Sequence, residues 1–313
     1  MNTDYELPIL TMLVGLPASG KSTYADKLSK ETGSIICSSD KIREEICGDI
    51  NAQDKNDEVF ITLHRRIKEH LRNGDSVIYD ACNINSKRRT AFLRELKNIP
   101  CEKHCVIIAT LYEKCLEANK NRERQVPEDV IKRMYMNWNV PCWFEGWDKI
   151  EFEYPDLSNR NVYGYARDYI SKNDLYNFNQ KNSHHTLSLG AHLEKTLEII
   201  SENPETDYVD MRVAALLHDI GKPFTQTFVD SKGNPSKDAH YYQHHCTSAY
   251  DAMFFAHPFM LNYCILINLH MQPYFWEKDK EHGDKTREKY KKLWGEELFN
   301  KVMALHAADK AAH

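Results

Sequence analysis

The sequence predicts two domains of different class: an α/β domain with a parallel sheet flanked by helices, then an all-α domain. In the first half, short apolar runs alternate with helix-like stretches, which is the pattern of βαβ units. In the second half, apolar residues recur at helical spacing only. The length of 313 residues also suits about two domains.

The boundary is predicted where periodicity fades. From Ile150 to Asn182 the chain becomes rich in Asn, Asp and Tyr, which indicates closing strands and a linker. We therefore place the α/β domain at 1–155, a connector at 156–180 and the helical domain at 181–313.

Composition excludes several classes of protein. Hydrophobic residues make up 42% and charged residues 28%, which describes a globular chain with ample core. The net charge of −5 gives no global nucleic-acid signature, so such contacts must rest on local basic patches. The sequence shows neither a membrane-length apolar run nor the start of a signal peptide, so we expect a cytoplasmic protein without a membrane partner.

The nine cysteines include no C-x-x-C pair. We expect reduced thiols and no structural zinc site formed by them.

The elements of the first half follow from its apolar runs and helix signals. Strands are predicted at 9–14, 34–37, 76–80 and 104–110, and helices at 22–29, from Lys41, at 55–72, from Ser86, from Leu116 and from Glu128.

The loop between the first strand and the first helix is typical of a phosphate-binding loop. It reads GLPASGKST over residues 15–23, and its backbone N–H groups would surround a polyphosphate. Lys21 would reach the β- and γ-phosphates, and the Ser22 hydroxyl would bind Mg²⁺. The predicted contacts to ATP or another NTP are Gly15, Ser19, Gly20, Lys21, Ser22 and Thr23. A chance Gly/Ser turn is the alternative.

Two polar residues follow the second strand. Asp40 stands at its carboxyl end, where open α/β sheets bind their ligands, and Arg43 lies one helical turn further on. A carboxylate and a guanidinium so placed suit an acceptor hydroxyl and a neighbouring phosphate. The alternative for Asp40 is a helix cap.

A second carboxylate, Asp80, ends the third strand, and Asn83 follows in the next loop. Asp80 could hold Mg²⁺ through water or orient the acceptor, and both residues are candidate substrate contacts. The alternative for Asp80 is a turn cap.

The polar segment 119–127 contains Arg122 and Arg124. In a phosphoryl-transfer enzyme such a segment would be a lid that brings an arginine to the transferred group. A solvated helix face is the alternative.

These motifs together carry a resemblance. GLPASGKST, SSDKIR, YDACNINSKRR and NRERQVPEDVIKRMY occur in the order seen in 5′-hydroxyl polynucleotide kinases of phage and bacterial end-healing type. The resemblance covers about residues 8–150. It implies Asp40 as general base for a 5′-OH, Arg43 as the contact to the acceptor phosphate and Arg122 as the catalytic lid arginine, with Arg124 as the other candidate. The chain departs from the family at Ala118, where arginine is common, and at Cys82, where threonine is common.

The second half carries a cluster of histidines and carboxylates. The sequence order H…HD…H…H…D on helical segments supplies imidazole and carboxylate groups, which bind divalent transition metals. No cysteine joins them, which favours a catalytic metal site over a closed structural zinc site. His306 and His313 are expected to be ordinary histidines.

The stretches HHTLSLGAH, HDIGKPF and HYYQHH resemble the HD phosphohydrolase superfamily, and particularly the HD domains of tRNA nucleotidyltransferases. The resemblance covers about residues 183–313. It implies Mn²⁺, Fe²⁺, Co²⁺ or Ni²⁺ and hydrolysis of a 2′,3′-cyclic or terminal phosphate. The implied four-ligand core is His192, His218, Asp219 and Asp309, with His244 and His270 as the ligands of a second metal.

Lys222 follows the HD pair directly and is a candidate phosphate contact. The alternative is a solvated lysine at a helix end.

Together the resemblances imply an enzyme that repairs RNA ends, and DNA ends as a second candidate, for a separate ligase. One alternative is a nucleoside or small-molecule kinase fused to a nucleotide phosphohydrolase. The other is a nucleotide-sensing regulatory protein.

Overall fold

A computed structural model describes residues 6–49, 52, 54–182, 186–255 and 258–312. His184 and His185 of the HHTLSLGAH stretch, and His313, lie outside these ranges. The chain forms two compact units, the first of Met1–Met134 with Pro141–Leu157, and the second of Tyr135–Val140 with Ser158–His313.

The first unit is a five-stranded parallel sheet in the order β2-β3-β1-β4-β5. Its strands are β1 Ile9–Val14, β2 Ile35–Ser38, β3 Val77–Asp80, β4 Glu102–Ile108 and β5 Lys149–Glu153. The helices between them are α1 Lys21–Thr32, α2 Ser39–Cys47, α3 Asn56–Arg72, α4 Ser86–Glu95, α5 Tyr112–Lys120 and α6 Glu128–Met136. The prediction of a parallel sheet flanked by helices is confirmed.

The topology places the candidate residues at one edge of the sheet. The chain leaves β1 into the phosphate loop, leaves β2 into α2, and leaves β3 at Asp80. Carboxyl ends of parallel strands meet at a common edge, so these three segments converge there. The strands are buried on both faces, as in β1 and β3, where nearly every side chain is covered.

The second unit is mainly helical, as predicted. Its helices are α7 Ala166–Lys172, α8 Leu189–Glu202, α9 Val209–Leu217, α10 Lys222–Thr225, α11 His244–Asp251, α12 Met260–Leu269, α13 Gln272–Lys278, α14 Gly283–Trp294 and α15 Glu296–Ala311. Its core contains apolar side chains of α8, α9, α12 and α15, all fully or almost fully covered. Helix α7 lies inside the stretch that the sequence suggested was a connector.

One part of the second unit is not helical. Strands β6 Gln226–Val229 and β7 Pro235–Tyr241 form an antiparallel hairpin in the half of the chain for which the sequence predicts an all-α domain. The Asp230–Asn234 turn closes it, with the Asn234 backbone N–H donating to the Asp230 side chain at 2.8 Å. Both strands are short, and β7, with the sequence PSKDAHY, is mostly polar, so neither shows the apolar alternation by which strands are recognised.

No helix in the described ranges is long and apolar enough to span a membrane.

Candidate functional site

The phosphate loop owes its shape to two glycines. Gly20 adopts φ +95° and caps α1, a left-handed conformation that side-chain-bearing residues rarely adopt. At Gly15 a Cβ atom would lie 2.6 Å from Ser19 Oγ and 3.1 Å from the Ile108 carbonyl oxygen. The loop therefore wraps tightly in front of the N-terminus of α1, which is where a phosphate binds.

Lys21 and Ser22 start helix α1 on the inner side of this loop. The Lys21 side chain is buried, and its Nζ donates to the Leu16 carbonyl at 2.6 Å. Ser22 Oγ donates to Asp80 Oδ2 at 2.9 Å. This pair of oxygens is the arrangement in which a loop hydroxyl and a strand-end carboxylate hold Mg²⁺.

Asp80 is buried at the end of β3. Burial raises the pKa of its carboxyl group, whereas the charge of Lys21 and the hydrogen bond from Ser22 act to lower it. The structure thus places Asp80 beside the loop rather than as a turn cap. Thr23 is exposed on α1, next to Ser22.

Asp40 lies in the first turn of α2, and the side-chain cap considered for it is not seen in the described residues: the cap position is Ser38. Its Oδ1 accepts from Arg43 at 3.1 Å, and its Oδ2 pairs with Arg124 NH1 at 2.6 Å. The carboxylate at the strand end is therefore held by two guanidinium groups.

The two lid arginines differ in position. Arg124 is partly covered by its contact with Asp40, whereas the Arg122 side chain is exposed. The resemblance to polynucleotide kinases implies Arg122 as the catalytic lid arginine, and that assignment stays a prediction.

Several contacts around this site were missed by the sequence. Arg43 is buried, and its NH2 group donates to Asn56 Oδ1 at 2.7 Å. Asn83, expected at the substrate, donates its amide to the Leu13 carbonyl at 2.9 Å and so braces β1. No local pattern in the sequence signals either contact, because each joins segments far apart in the chain.

A buried ion pair between Arg89 and Glu145 supports the loop that contains Asn83. Arg89 and Glu145 are both fully buried, with Arg89 Nε and NH2 donating to the carboxylate at 2.8 and 2.7 Å. Arg89 NH1 also donates to the Asn83 carbonyl at 2.9 Å. The basic start of α4, a visible feature of the sequence, is thus partly structural.

The second unit brings all six predicted metal ligands together in two groups that share Asp219. One group is His192, His218, Asp219 and Asp309, and the other is Asp219, His244 and His270. Within each group the ligand atoms lie within 4.8 Å of one another. The sequence predicts that His218 and His270 lie on helical segments. In the structure they stand just beyond the ends of α9 and α12.

Backbone carbonyls set the orientation of all four imidazoles. In each ring Nδ1 faces a carbonyl oxygen, and the partners are Ala312, Ala215, Tyr241 and Ile267 for His192, His218, His244 and His270. A carbonyl only accepts, so Nδ1 of each ring carries a proton, and Nε2 is the ring nitrogen that faces the cluster.

This arrangement fits a pair of bound cations. The Nε2 atoms of His192 and His218 approach to 3.2 Å, and those of His244 and His270 to 3.3 Å. Lone pairs at these distances repel unless a positive charge lies between them. In addition, Asp219 Oδ1 is buried and receives no hydrogen bond from the described residues.

The electrostatics show the same demand for positive charge. Burial acts to raise the pKa of Asp219, but the charges of Lys222 and His218 outweigh it and hold that pKa well below its usual range. Burial acts to lower the pKa of His192, but the carboxylates of Asp219 and Asp309 raise it to about 9. Burial holds the pKa of His270 well below its usual range.

Lys222 is buried, so the solvated alternative was wrong. Its Nζ lies 2.6 Å from Asp219 Oδ2 and donates to Gln180 Oε1 at 2.8 Å. Gln180 falls in the stretch taken as a connector, and no pattern there marks it. His306, expected to be ordinary, contacts Glu277 at 3.2 Å and belongs to neither group.

Comparison with known proteins identifies a domain in each unit. A family model described as an AAA domain matches residues 10–141, and one described as an HD domain matches residues 182–312. The predicted combination of a P-loop domain with an HD domain is confirmed.

Among curated proteins, the L-seryl-tRNA(Sec) kinase of Methanococcus maripaludis is 36% identical over 155 residues, 45% of this chain and 56% of the relative. Transcription factor bHLH140 of Arabidopsis thaliana is 27% identical over 52% of this chain and 18% of its own. The chain thus spans little more than half of the first relative and less than a fifth of the second. A solved structure described as the Pnkp1/Rnl/Hen1 RNA repair complex is 19% identical, with a TM-score of 0.37, over 44% of this chain and 45% of that one.

Proposed function

Because the chain joins an AAA-type P-loop domain to an HD domain, we propose that it is an end-healing enzyme for broken RNA, with DNA as a second substrate. The P-loop domain would transfer the γ-phosphoryl group of ATP to a 5′-OH end. The HD domain would open a 2′,3′-cyclic phosphate, or remove a terminal phosphate, at the other end. A separate ligase would then join the healed ends.

The position of Asp40 is the main support for the proposed kinase activity. The carboxylate stands at the end of β2 and is held by Arg43 at 3.1 Å and Arg124 at 2.6 Å. Asp40 would accept the proton of the 5′-OH as that oxygen bonds to the γ-phosphorus and the bond to the ADP oxygen breaks. Lys21 and the loop N–H groups would hold the phosphates, and Ser22 and Asp80 would hold Mg²⁺.

The proposed hydrolase activity is supported by the six candidate metal ligands, which form two groups with Asp219 in common. Two divalent cations, when bound there, would neutralise the non-bridging phosphate oxygens and supply a water nucleophile. The chain itself fixes the imidazoles through Nδ1, so that Nε2 of each ring stays directed at the cations. Lys222 would keep Asp219 ionised and oriented.

The test is an RNA that carries both a 5′-OH and a 2′,3′-cyclic phosphate, incubated with ATP and Mg²⁺ or Mn²⁺. We expect phosphate to appear at the 5′ end and the cyclic phosphate to open. Lys21→Ala should strongly slow only the first reaction, and His218→Ala only the second. Loss of both reactions in either variant would contradict two separate sites.

A second candidate is favoured by one observation. The archaeal relative with 36% identity is named a kinase of L-seryl-tRNA(Sec). The same Asp40 geometry could activate a hydroxyl on an amino acid attached to tRNA. Transfer of labelled phosphate to seryl-tRNA, with none to 5′-OH RNA, would favour this acceptor.

A further inference from the structure

The lid is a short segment with a fixed base. It runs over residues 121–127, between the end of α5 and the start of α6. The amide of Asn119 closes its base: Nδ2 donates to the Val126 carbonyl at 2.8 Å, and Oδ1 accepts from the Val126 N–H at 2.9 Å. Asn119 is 2% exposed, so this clamp is protected from water and sets where the lid lies.

Within the lid, Arg124 is directed at Asp40. Its NH1 group lies 2.6 Å from Asp40 Oδ2, while Arg43 occupies Oδ1 of the same carboxylate. The two guanidinium groups are not equivalent. Arg43 stands one turn along the same helix and is fixed by Asn56, whereas Arg124 comes from a different part of the domain.

The contact matters because the Asp40 side chain can rotate unless both of its oxygens are held. Its side chain is 40% exposed, so without a partner for Oδ2 the carboxylate could turn about its last bond toward solvent. A general base must stay within hydrogen-bond reach of the proton it accepts, and a displacement of about 1 Å can cost on the order of 100-fold in rate.

We propose that Arg124 is a positioning residue, which orients Asp40 and thereby couples the placement of the lid to the readiness of the base. The proposal rests on the kinase function proposed above. It divides the two lid arginines by role: Arg124 acts through Asp40, and Arg122, exposed on the same segment, is available to the phosphates of ATP.

A double-mutant cycle with Asp40→Asn tests the division, using single-turnover phosphorylation of a 5′-OH RNA. In the wild-type background, Arg124→Ala should lower the rate about 10- to 100-fold with little change in KM for ATP. In the Asp40→Asn background, Arg124→Ala should change the rate by less than about 2-fold, because there is no longer a carboxylate base for Arg124 to orient. Arg122→Ala, the matched control, should have the same effect in both backgrounds.

Arg124→Lys should restore part of the rate, since a lysine ammonium keeps a positive charge and an N–H donor for Asp40 Oδ2. Equal losses from Arg124→Ala in both backgrounds would show that Arg124 acts elsewhere and overturn the proposal. So would a neutral Arg124→Ala in the wild-type background.

A second measurement does not depend on the acceptor. Cleavage after Glu123 by a glutamate-specific protease reports how firmly the lid is held. Asp40→Asn should speed this cleavage several-fold, and the exposed control Asp26→Asn should not. If the protein phosphorylates no 5′-OH end but Asp40→Asn still frees the lid, the proposed function fails and the contact stands. If cleavage is unchanged, the contact does not hold the lid.

Discussion

The two candidate sites are built from different parts of the polypeptide. The candidate phosphate site comes from consecutive residues 15–23, and the groups expected to bind the phosphates are largely backbone N–H. The metal site takes side chains from positions between His192 and Asp309, and there the backbone carbonyls serve as supports for the rings. A backbone-built site depends on loop shape and tolerates most side-chain changes, whereas a side-chain-built site fails when one ligand changes. Single substitutions in the two sites should therefore differ in their effects.

The largest expected effect is at Asp219, the one carboxylate common to both ligand groups. Asp219→Asn removes a charged ligand from both, and loss of several kcal/mol of charge stabilisation corresponds to roughly 10³-fold or more in rate. We expect phosphodiester hydrolysis to fall by that factor and metal content, measured by elemental analysis, to drop. Phosphorylation should be unchanged. Asp168→Asn, an exposed control, should keep both activities.

Lys21 is the side chain on which the phosphate site depends most. Lys21→Ala removes one preorganised cation from the transferred phosphate, which should lower phosphoryl transfer about 10²- to 10³-fold. Hydrolysis by the other domain should not change. The measurement is labelled phosphate transfer from ATP, with the exposed Lys27→Ala on the same helix as control. A loss of less than tenfold would mean that the backbone alone carries the site.

Gly15 tests the shape of the loop itself. Gly15→Ala introduces a Cβ atom 2.6 Å from Ser19 Oγ, and overpacking of this kind costs about 1–3 kcal/mol, or roughly 5- to 150-fold in ATP affinity. Gly33→Ala, which is also strained at φ +73° but has open space around it, should lower stability without weakening ATP. Titration calorimetry separates the two. Equal weakening by both variants would show an effect of stability rather than shape.

The smallest effect concerns thiols of the first domain. Burial raises the pKa of Cys37 to about 11 and raises that of Cys105 further, so at pH 8 about one Cys37 in a thousand is a thiolate. We expect iodoacetamide to modify the half-buried Cys47 and Cys82 and to spare the other two. Cys82 accepts a hydrogen bond from the Gly15 N–H through its carbonyl, so ATP should slow its modification several-fold. Peptide mass spectrometry measures both. Equal protection of Cys47 would argue against a local effect.

The sequence predicts the strands and the helix that surround the first candidate site because the information for them is local. The loop, its strand and its helix are consecutive, and Asp40 and Asp80 follow strands whose apolar runs are easy to recognise. The partners of these residues are a different matter. Asn56 meets Arg43, and Arg124 meets Asp40, only because the fold brings distant segments together, and no periodicity encodes that.

In the second domain, residue types indicate a metal site and the resemblance to HD phosphohydrolases implies which residues are its ligands; the structure brings all six together. What the sequence could not show is their support. Ring orientation depends on carbonyls that every residue possesses, so the anchoring of His218 by Ala215 leaves no mark in composition. The hairpin was also missed, since its strands are only four and seven residues long and lack apolar alternation.

The equal spacing of the paired histidines has a consequence for folding. His192 and His218 are 26 residues apart, as are His244 and His270, and the Nε2 atoms of each pair approach to 3.2 and 3.3 Å. A bound cation would therefore act as a cross-link that closes a chain loop, much as a disulfide does, and would restrict the unfolded chain. Asp219 belongs to both ligand groups and would connect the two loops. Asp309 would tie helix α15 to the loop closed by His192 and His218. Removal of the cations by a chelator would therefore also lower the stability of the helical domain, because the cross-links between its N-terminal and C-terminal parts would be lost.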